Sequence, residues 1–441
     1  MDYNATIQYL YTQLPMFTRD GASAFKADLT NTIELCKRLD KPHQQFKSVH
    51  IAGTNGKGST SHMLAAILQT AGYKTGLYTS PHLKDFRERI RLNGQMISEQ
   101  TVIDFVGCHL NNFEEIAPSF FEMTVGLAFD VFAKEQVDIA IIEVGLGGRL
   151  DSTNIITPLL SVITNIGWDH MNMLGNTLQL IAGEKAGIIK PGIPVVIGEL
   201  QPETAQVFID KAQQQGSLIE FASGQWVIEE VKTKNQKSDF PEQFEYIDLN
   251  ISKAAQSETP AKKLNIQLDL TGTYQLKNVK TVLSAVDQLR KQGFIITDAH
   301  IITALRQVKE LTGLHGRWEV LSTQPLTICD TGHNPDGIEE VMKNIAAVNY
   351  DQLHFVIGMV NDKDATKVLS MLPSKATYYF CKPDIPRGLD AEALKRQAQD
   401  FNLHGLNYPS VKEALLAAQG NAGKNDLIFI GGSTFVVAEV V

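Results

Sequence analysis

Gly53-Thr-Asn-Gly-Lys-Gly-Ser-Thr60 is the stretch of this 441-residue chain that says most about its architecture. It follows a short apolar run, Lys47–Ala52, and precedes a pattern that predicts a helix over about Ser59–Thr70. A polyphosphate needs glycines for close backbone approach, exposed N–H groups, a helix N-terminus and a lysine, and all four are present. The strict GxxxxGK[ST] pattern is not met, because Ile51 replaces its first glycine and Gly58 follows the lysine. The strand–loop–helix context nevertheless favours a phosphate-binding loop over a plain glycine-rich turn with a surface lysine.

Strand and helix signals alternate on the C-terminal side of this loop. Buried strands are predicted at Asp138–Glu143, Leu159–Ile166 and Ile193–Ile197, and a helix over about Thr177–Ile189 lies between the last two. This alternation predicts an α/β fold with a doubly wound parallel sheet. From about Ser223 to Lys263 the chain is polar with short alternating runs, which predicts an antiparallel excursion from that domain.

The alternation begins again near His315. We therefore expect two domains: residues 1–314 carry the phosphate loop and the excursion, and residues 315–441 form a smaller, Rossmann-like α/β domain. The strands predicted for the smaller domain are Leu326–Cys329, His354–Ile357, Ala376–Phe380 and Asp426–Ile430.

The composition is that of an ordinary globular chain, with 43% hydrophobic and 20% charged residues. It excludes a mainly disordered chain, a coiled coil and a collagen-like fibre. The formal net charge of -9 is the opposite of what a general nucleic-acid binder carries. The N-terminus has no secretory signal pattern, Leu427–Val441 is too short to span a bilayer, and the four cysteines form no CxxC. We therefore expect a cytoplasmic protein that binds neither nucleic acid nor membrane.

Further motifs follow the phosphate loop along nearly the whole chain. They are Thr79–Leu83, Glu143–Asn154, Asp169-His170, Gly183–Lys190, Gly316–Trp318 and Asp330–Asp336. In this order they resemble the folylpolyglutamate synthase/dihydrofolate synthase family of the Mur-ligase group. The resemblance implies an ATP-dependent carboxylate–amine ligase. It also implies that residues 1–314 are a Mur-ligase-like central domain with ATP and folate sites, and that residues 315–441 are the C-terminal ligase domain.

The resemblance also implies the nucleotide-binding residues. A guanidinium suits phosphate oxygens, and an aspartate suits ribose hydroxyls or base N–H groups. The alternatives that stay open are an interdomain salt bridge for Arg317 and a helix cap for Asp330. Ser59 or Thr60 either supplies a hydroxyl near a metal or caps the helix. The implied ATP-binding residues are Thr54, Asn55, Gly56, Lys57, Gly58, Ser59, Asn278, Arg317 and Asp330.

Two Mg²⁺ sites are implied in the same way, with Ser80 and Glu143 at the first and His170 and Lys185 at the second. Glu143 ends a buried strand, where ligands bind in α/β sheets, although the glycine-rich loop after it offers the carboxylate partners too. Mg²⁺ prefers oxygen, so chemistry alone leaves a capping or buried His170 equally open. In the family, the lysine that matches Lys185 is carbamylated, which needs a neutral amine and so a lowered pKa. Without the resemblance, Lys185 is predicted to be a solvated helical lysine.

The acceptor site is implied at two segments, which place Ser119, Phe121, Leu150, Asp151 and Ser152 against the pteridine. An aromatic pair such as Phe120-Phe121 more often belongs to a hydrophobic core. The family commonly has threonine at position 119 and alanine at 152, so the sequence leaves dihydropteroate, folate or both open as acceptors. A basic run nearby comprises Lys84, Arg87, Arg89 and Arg91. This pattern is typical of a solvated strand edge, and the alternative is a surface that attracts anionic substrates.

The expected reaction adds L-glutamate to dihydropteroate, to a folate, or to both, through an acyl phosphate, with ATP as co-substrate. The acid would attack the γ-phosphate and the glutamate amine would then displace phosphate, in a cleft that closure of two domains shields from water. Small substrates make a monomer sufficient. The candidate catalytic residues are Lys57, Lys185, His170, Arg317 and His333, and the role of His333 is left open.

Two alternatives stay open from the sequence. One is a Mur ligase that acts on a UDP-sugar peptide, against which the phosphate loop begins only 53 residues into the chain. The other is a non-enzymatic P-loop switch, which leaves the second Rossmann-like domain unexplained.

Overall fold

The computed structural model describes residues 1–20, 28–232, 245–254, 263–361 and 365–441. Two units can be distinguished by their internal contacts. The larger is built from Met1–Lys232, Asp248–Asp269 and Gln275–Gly313, and the smaller chiefly from Leu270–Tyr274 and Leu314–Val441.

The larger unit contains a mostly parallel sheet. Its strands are β1 (Ser48–Ala52), β2 (Thr75–Tyr78), β3 (Ile90–Leu92), β4 (Gln95–Met96), β5 (Ile139–Glu143), β6 (Leu160–Ile163), β7 (Val195–Ile197) and β8 (Ile219–Phe221). They lie in the order β4-β3-β2-β5-β1-β6-β7-β8. β2, β5, β1 and β6 are parallel neighbours, so the segments that follow them leave the sheet at one common edge.

The central strands β1 and β5 are buried along their full length, as parallel strands covered by helices are. This explains why both read as continuous apolar runs rather than alternating ones. The helices of this unit are α1 (Tyr3–Gln13), α2 (Phe17–Asp20), α3 (Thr30–Arg38), α4 (Lys57–Thr70), α5 (Glu99–Ile116), α6 (Phe120–Lys134), α7 (Met171–Leu174), α8 (Leu178–Ala186), α9 (Pro202–Gln215), α10 (Ala222–Gln225), α11 (Gln275–Lys291), α12 (Asp298–Leu305) and α13 (Val308–Thr312). Short 3₁₀ helices occur at Pro42–Gln44, Phe86–Arg89 and Ser152–Ile155.

The antiparallel excursion is confirmed for the described residues. β9 (Trp226–Lys232), β10 (Ile247–Lys253) and β11 (Lys263–Leu268) form a sheet in the order β11-β10-β9, and β9 and β10 pair antiparallel. Trp226, the first residue of β9, is buried. The remainder of the predicted excursion, residues 233–244 and 255–262, lies outside the described residues.

The smaller unit has a second sheet, in the order β12-β13-β17-β14-β15-β16. The predicted strands pair in parallel. Two edge strands were not predicted from the sequence: β12, which is antiparallel to β13, and β16, which is parallel to β15. The strands are β12 (Glu319–Thr323), β13 (Leu326–Cys329), β14 (Leu353–Ile357), β15 (Thr377–Cys381), β16 (Gly405–Tyr408) and β17 (Leu427–Gly431). The helices are α14 (Pro335–Ala346), α15 (Ala365–Leu369), α16 (Ala391–Gln399), α17 (Val411–Asn421) and α18 (Thr434–Ala438).

Both sheets confirm the predicted α/β class. The apolar tail divides as expected into a buried strand, β17, and a short helix, α18. Within the described ranges, none of the helices combines the length and the apolar character that a membrane crossing requires.

Candidate active site

The phosphate loop joins β1 to α4 and depends on two glycines. Gly53 has φ +147° and Gly56 has φ +82°, a region that L side chains rarely adopt. A Cβ on Gly53 would overlap Thr164 Oγ1, and a Cβ on Gly56 would overlap Asn278 Oδ1. Glycine is therefore required at both positions. Gly56 also ends the loop as the residue before α4, which is why the helix begins at Lys57, two residues before the predicted start.

The segment that follows β6 holds this loop from one side. Thr54 N donates to Asn165 O at 3.0 Å, and Thr54 Oγ1 accepts from Gly167 N at 2.9 Å. Asn55 N donates to Asn165 Oδ1 at 2.9 Å. Lys57 Nζ donates to the carbonyls of Gly53 and Thr54 at 3.1 and 3.2 Å. The loop is thus shaped by its own chain, with the lysine amine at its centre.

Lys185 lies against the same loop. Its side chain is 4% exposed, and its Nζ donates to Gly53 O at 3.0 Å. Burial, together with the positive charge of Lys57, lowers the pKa of Lys185 to about 7. The interpretation of Lys185 as a solvated lysine is therefore wrong, because α8 turns this side chain into the protein. An amine with this pKa is neutral in about half of the molecules near pH 7, and a neutral amine is what carbamylation requires.

The other predicted metal ligands follow strands that end at the same edge of the sheet as the phosphate loop. Glu143 is the last residue of β5 and is 4% exposed. Ser80 comes two residues after β2, which pairs with β5. His170 comes after β6, adopts φ +48°, and lies with Nε2 3.7 Å from Asp169 Oδ2. His170 directly precedes α7, but its side chain makes no capping hydrogen bond, so the capping alternative is wrong.

The donor set at this edge fits Mg²⁺. The ion prefers oxygen ligands and usually keeps several waters and substrate phosphate oxygens, so one or two protein ligands per ion are enough. The carboxylate of Glu143 and the hydroxyl of Ser80 are such ligands. Among the described residues, no group of three or more His, Cys, Asp and Glu side chains is arranged to hold a metal without substrate. The assignment of these residues to magnesium stays a prediction.

Asp151 organises the glycine-rich loop that follows β5. Its buried carboxylate accepts from Leu146 N at 2.8 Å, from Thr153 N at 3.0 Å and from Thr153 Oγ1 at 2.5 Å. Burial raises the pKa of Asp151, and these hydrogen bonds oppose the rise. The ring of Phe121 covers the start of the loop, since a Cβ on Gly145 would lie 2.5 Å from Phe121 Cζ. Leu150 and Ser152 flank Asp151 on this loop.

The aromatic pair before Glu122 divides between two environments. Phe120 is 4% exposed and packs against Tyr11 and Phe86 with ring centroids 5.6 and 5.7 Å apart. Phe121 is only half-buried and faces Tyr78. Ser119 caps α6: its Oγ accepts from Glu122 N at 3.2 Å, and Glu122 accepts from Ser119 N at 2.6 Å. The core alternative thus holds for Phe120, and Phe121 remains a candidate acceptor contact.

The basic run is not a solvated strand edge. Arg89 and Arg91 are only 6% and 8% exposed: Arg89 ends the 3₁₀ helix Phe86–Arg89, and Arg91 lies in β3. Arg89 Nε donates to His82 Nδ1 at 2.7 Å, and burial lowers the pKa of Arg89. Arg87 instead pairs with Asp85 at 2.7 Å, and Lys84 is exposed.

In the smaller unit, the buried carboxylate of Asp330 accepts hydrogen bonds from several neighbouring segments. Its carboxylate accepts from Tyr274 Oη at 2.6 Å, from Trp318 N at 2.8 Å and from Gly332 N at 2.7 Å, and burial raises its pKa. The helix-cap alternative for Asp330 is wrong, because Asn334 caps α14.

Arg317 and His333 both contact Thr331, which follows Asp330. Arg317 donates to Thr331 Oγ1 and, at 3.2 Å, to Gly316 O. His333 Nδ1 donates to Thr331 O at 2.9 Å. These contacts place both side chains on the segment after β13, at the end of a parallel strand.

Gln275 supports the phosphate loop and was not predicted from the sequence as a site residue. This fully buried residue donates from Nε2 to Ser59 Oγ at 3.1 Å and accepts from Asn278 Nδ2 at 2.7 Å. Its spacing of three residues from Asn278 places both on one face of α11, which is the signal that was available. Ser59 thus accepts a hydrogen bond from α11, and Asn278 lies against Gly56.

Comparisons with known proteins agree with this arrangement. Residues 51–286 match the Mur ligase middle domain, and residues 316–434 match the Mur ligase, glutamate ligase domain. A Bacillus subtilis protein named dihydrofolate synthase/folylpolyglutamate synthase is 34% identical over 430 residues, with 94% of each chain covered. A Haloferax volcanii protein, a probable bifunctional folylpolyglutamate synthase/dihydropteroate synthase, is 32% identical over the whole of this chain, which spans half of that protein's length.

Two solved structures have the same fold. Escherichia coli FolC in complex with DHPP and ADP is 30% identical, with a TM-score of 0.82, and the alignment covers all of this chain and 97% of the other. A bifunctional folylpolyglutamate synthase/dihydrofolate synthase with Mn, AMPPNP and L-glutamate bound is 28% identical, with a TM-score of 0.81 and coverage of 100% and 97%. The motifs, the two sheets and these matches show that the chain belongs to the folylpolyglutamate synthase/dihydrofolate synthase family of Mur ligases.

Proposed function

We propose that this protein is an ATP-dependent ligase that adds L-glutamate to dihydropteroate, to a folate, or to both. One observation carries the proposal furthest: the buried amine of Lys185 is hydrogen-bonded to Gly53 of the phosphate loop. A phosphate loop alone is compatible with a nucleotide switch. A second lysine with a lowered pKa, held against that loop by α8, fits the ligase chemistry of the family to which the chain belongs.

The reaction has two displacement steps. An acceptor carboxylate oxygen attacks the γ-phosphorus, and the bond from that phosphorus to the β,γ-bridging oxygen breaks, which gives an acyl phosphate and ADP. The glutamate amine then attacks the acyl carbon, phosphate leaves, and the amine loses a proton. Lys57 lies where it offsets negative charge on the phosphate oxygens. Mg²⁺, when bound, neutralises phosphate charge, and Glu143, Ser80 and His170 are the residues that would hold it.

Lys185 is proposed to hold the second metal as a carbamate. Its neutral amine adds to CO₂ and loses one proton, which converts a cation into a ligand with two oxygens. Such a ligand suits Mg²⁺ far better than an ammonium group does. The burial of Nζ and the nearby positive charge of Lys57 support this modification, because both favour an uncharged amine over a protonated one.

The remaining predicted residues are proposed to bind substrates. Thr54 through Ser59 and Asn278 bind ATP in residues 1–314, and Arg317 and Asp330 contribute from residues 315–441, where His333 is a further candidate. The acceptor is proposed to meet Phe121 and the loop that follows β5. The proposed acceptor contacts are Ser119, Phe121, Leu150, Asp151 and Ser152.

We further propose a cytoplasmic location and a monomeric enzyme. All four cysteines are free, and three of them are buried, as is usual in a reducing compartment.

Acceptor-dependent ADP release tests the proposal. Purified protein is supplied with ATP, Mg²⁺ and L-glutamate, and with dihydropteroate, tetrahydrofolate or a UDP-muramoyl peptide in separate reactions. We expect turnover with at least one pterin, and turnover with both identifies a bifunctional synthase. Lys57→Ala should lose turnover, whereas Lys74→Ala, which removes an exposed lysine, should not. Turnover only with the UDP-sugar, or ATP binding without any acceptor response, contradicts the proposal.

A further inference from the structure

His50 lies in the middle of β1, three residues before the phosphate loop, and is completely buried. Its Nε2 is 2.8 Å from Oγ1 of Thr153, a residue that follows the glycine-rich loop after β5. Neither residue is among those proposed above to touch a substrate. A buried imidazole in a parallel strand is costly unless its hydrogen bonds are used, so this contact requires an explanation.

The positions of the protons in this contact follow from the neighbouring bonds. Thr153 Oγ1 donates its one proton to Asp151 Oδ1, so it can only accept from His50. Nε2 of His50 must therefore carry the proton. Burial, reinforced by the charge of Lys190, lowers the pKa of His50 to about 3, so the ring is neutral. Nδ1 has no hydrogen-bond partner among the described residues, and the ring acts as a donor in a single tautomer.

These hydrogen bonds lead from His50 through Thr153 to Asp151, which lies on the loop that carries proposed acceptor contacts. Asp151 accepts from Thr153 N on one carboxylate oxygen and from Leu146 N on the other. Its Oδ2 lies 3.3 Å from where a Cβ on Gly145 would be, under the ring of Phe121. The carboxylate of Asp151 therefore ties the beginning of this loop, at Leu146, to Thr153, which donates to it from both N and Oγ1.

We propose that His50 is a positioning residue for the acceptor site and acts through Thr153 and Asp151. Its hydrogen bond fixes the position of the glycine-rich loop and, with it, the proposed acceptor contacts on that loop. Because β1 carries both His50 and the phosphate loop, one strand determines the placement of the acceptor relative to the γ-phosphate. This inference rests on the proposed function, since it concerns how the acceptor of that reaction is held.

The sharpest variant is Thr153→Val, which removes the hydroxyl and keeps the shape. The carboxylate of Asp151 loses one hydrogen-bond donor in this variant and is held less firmly. We therefore expect KM for the acceptor to rise roughly ten- to hundredfold. KM for ATP should stay within about twofold of the wild-type value, because the phosphate loop has its own hydrogen bonds. His50→Leu should give the same pattern, and Thr153→Ser, which restores the hydroxyl, should return KM for the acceptor to near the wild-type value.

The matched control is Thr32→Val. Thr32 is equally buried, in α3, and its hydroxyl has no hydrogen-bond partner in the part of the chain that the structure describes. This variant should leave both KM values unchanged. If His50→Leu fails to fold, the Thr153 pair carries the test, and stabilisation by ADP shows that those variants are folded.

The outcomes separate the two proposals. A wild-type enzyme that is silent with every pterin overturns the proposed function and this inference with it. A wild-type enzyme that turns over while folded Thr153→Val keeps its acceptor KM overturns the inference alone. An equal rise of KM for ATP and for the acceptor also overturns it, because that is the result of a general structural role.

Discussion

Burial lowers the pKa values of two side chains near the phosphate loop, Lys185 and His50. Desolvation is the largest cause in both, and a nearby lysine adds to it: Lys57 acts on Lys185, and Lys190 acts on His50. The consequences differ with the chemistry of each group. A neutral lysine amine is a nucleophile toward CO₂, whereas a neutral imidazole with one fixed proton is a hydrogen-bond donor of constant direction.

The lowered pKa of Lys185 makes the stability of the unmodified protein depend on pH. In the unfolded chain this amine keeps its proton up to a pKa of 10.5, while in the folded chain it loses the proton near 7. Between these values the unfolded state binds more protons, so the free energy of unfolding rises with pH, by at most about 1.4 kcal/mol per pH unit. Lys185→Met, which is uncharged throughout, should remove this slope. Urea unfolding in CO₂-free buffers from pH 7 to 10 measures it.

Lys74→Met is the control for this measurement. The Lys74 side chain is 41% exposed and pairs with Glu135 at the protein surface, so its removal should leave the slope in place. Identical slopes in the wild type and in Lys185→Met would mean that the amine of Lys185 is not depressed. In bicarbonate, the wild type should gain the mass of one CO₂ and lose it on acidification, and Lys185→Met should not.

The sequence indicates such residues only in part. Lys185 is marked by its motif, but its place on a helix predicts a solvated charge, because burial depends on how α8 packs against Gly53. His50 sits in an apolar strand and carries no sequence signal of its partner Thr153, which is far away in the chain. Contacts of this kind depend on the pairing of distant segments, and one sequence read by itself does not contain them.

Among the secondary-structure elements, the capping of α6 connects stability to the acceptor site. Ser119 and Glu122 form a reciprocal pair of hydrogen bonds at the N-terminus of this helix, and the next residues are Phe120 and Phe121. The cap therefore fixes the point at which one aromatic ring enters the core and the other turns toward Gly145. Position 119 is also one of the places where this chain departs from the common residue of its family.

Ser119→Ala should lower the free energy of unfolding by about 1 kcal/mol, because the amide of Glu122 loses its acceptor. Ser119→Thr keeps an acceptor oxygen and should stay within a few tenths of a kcal/mol of the wild type. Denaturant unfolding of the three proteins measures both differences. Equal stability of Ser119→Ala and the wild type would show that the hydroxyl does not cap the helix.

Elements with a simple pattern were predicted well. The parallel strands β1, β5, β14 and β17 are buried on both faces and read as apolar runs, so their class and approximate bounds follow from the sequence. β12 was not predicted because its residues are all partly exposed and, among the described strands, it pairs with β13 alone. The burial of Arg89 was missed for a different reason, since it depends on a 3₁₀ turn that alternation along a strand does not reveal.

At the scale of the molecule, the larger and the smaller unit each have a hydrophobic core, and each carries residues that are proposed to bind substrates. The core of the larger unit includes Tyr78 and Phe129, and that of the smaller unit includes Phe355 and Phe429. The phosphate loop and Lys185 belong to the larger unit, and Asp330 with its partner Tyr274 belongs to the smaller one. Nucleotide binding at the phosphate loop should therefore stabilise the larger unit, and a variant of that loop should lose this stabilisation.

ADP with Mg²⁺ is expected to raise the melting temperature of the protein, and Lys57→Ala is expected to remove most of that rise. A ligand that binds only the folded state stabilises it by about 2.7 kcal/mol at a concentration one hundred times its Kd. Lys57 Nζ lies at the centre of the phosphate loop, 3.1 Å from Gly53 O, so its loss weakens phosphate binding directly. Thermal unfolding with and without nucleotide measures the shift, and Lys74→Ala is the control that should keep it. An equal shift in Lys57→Ala and the wild type would contradict nucleotide binding at this loop.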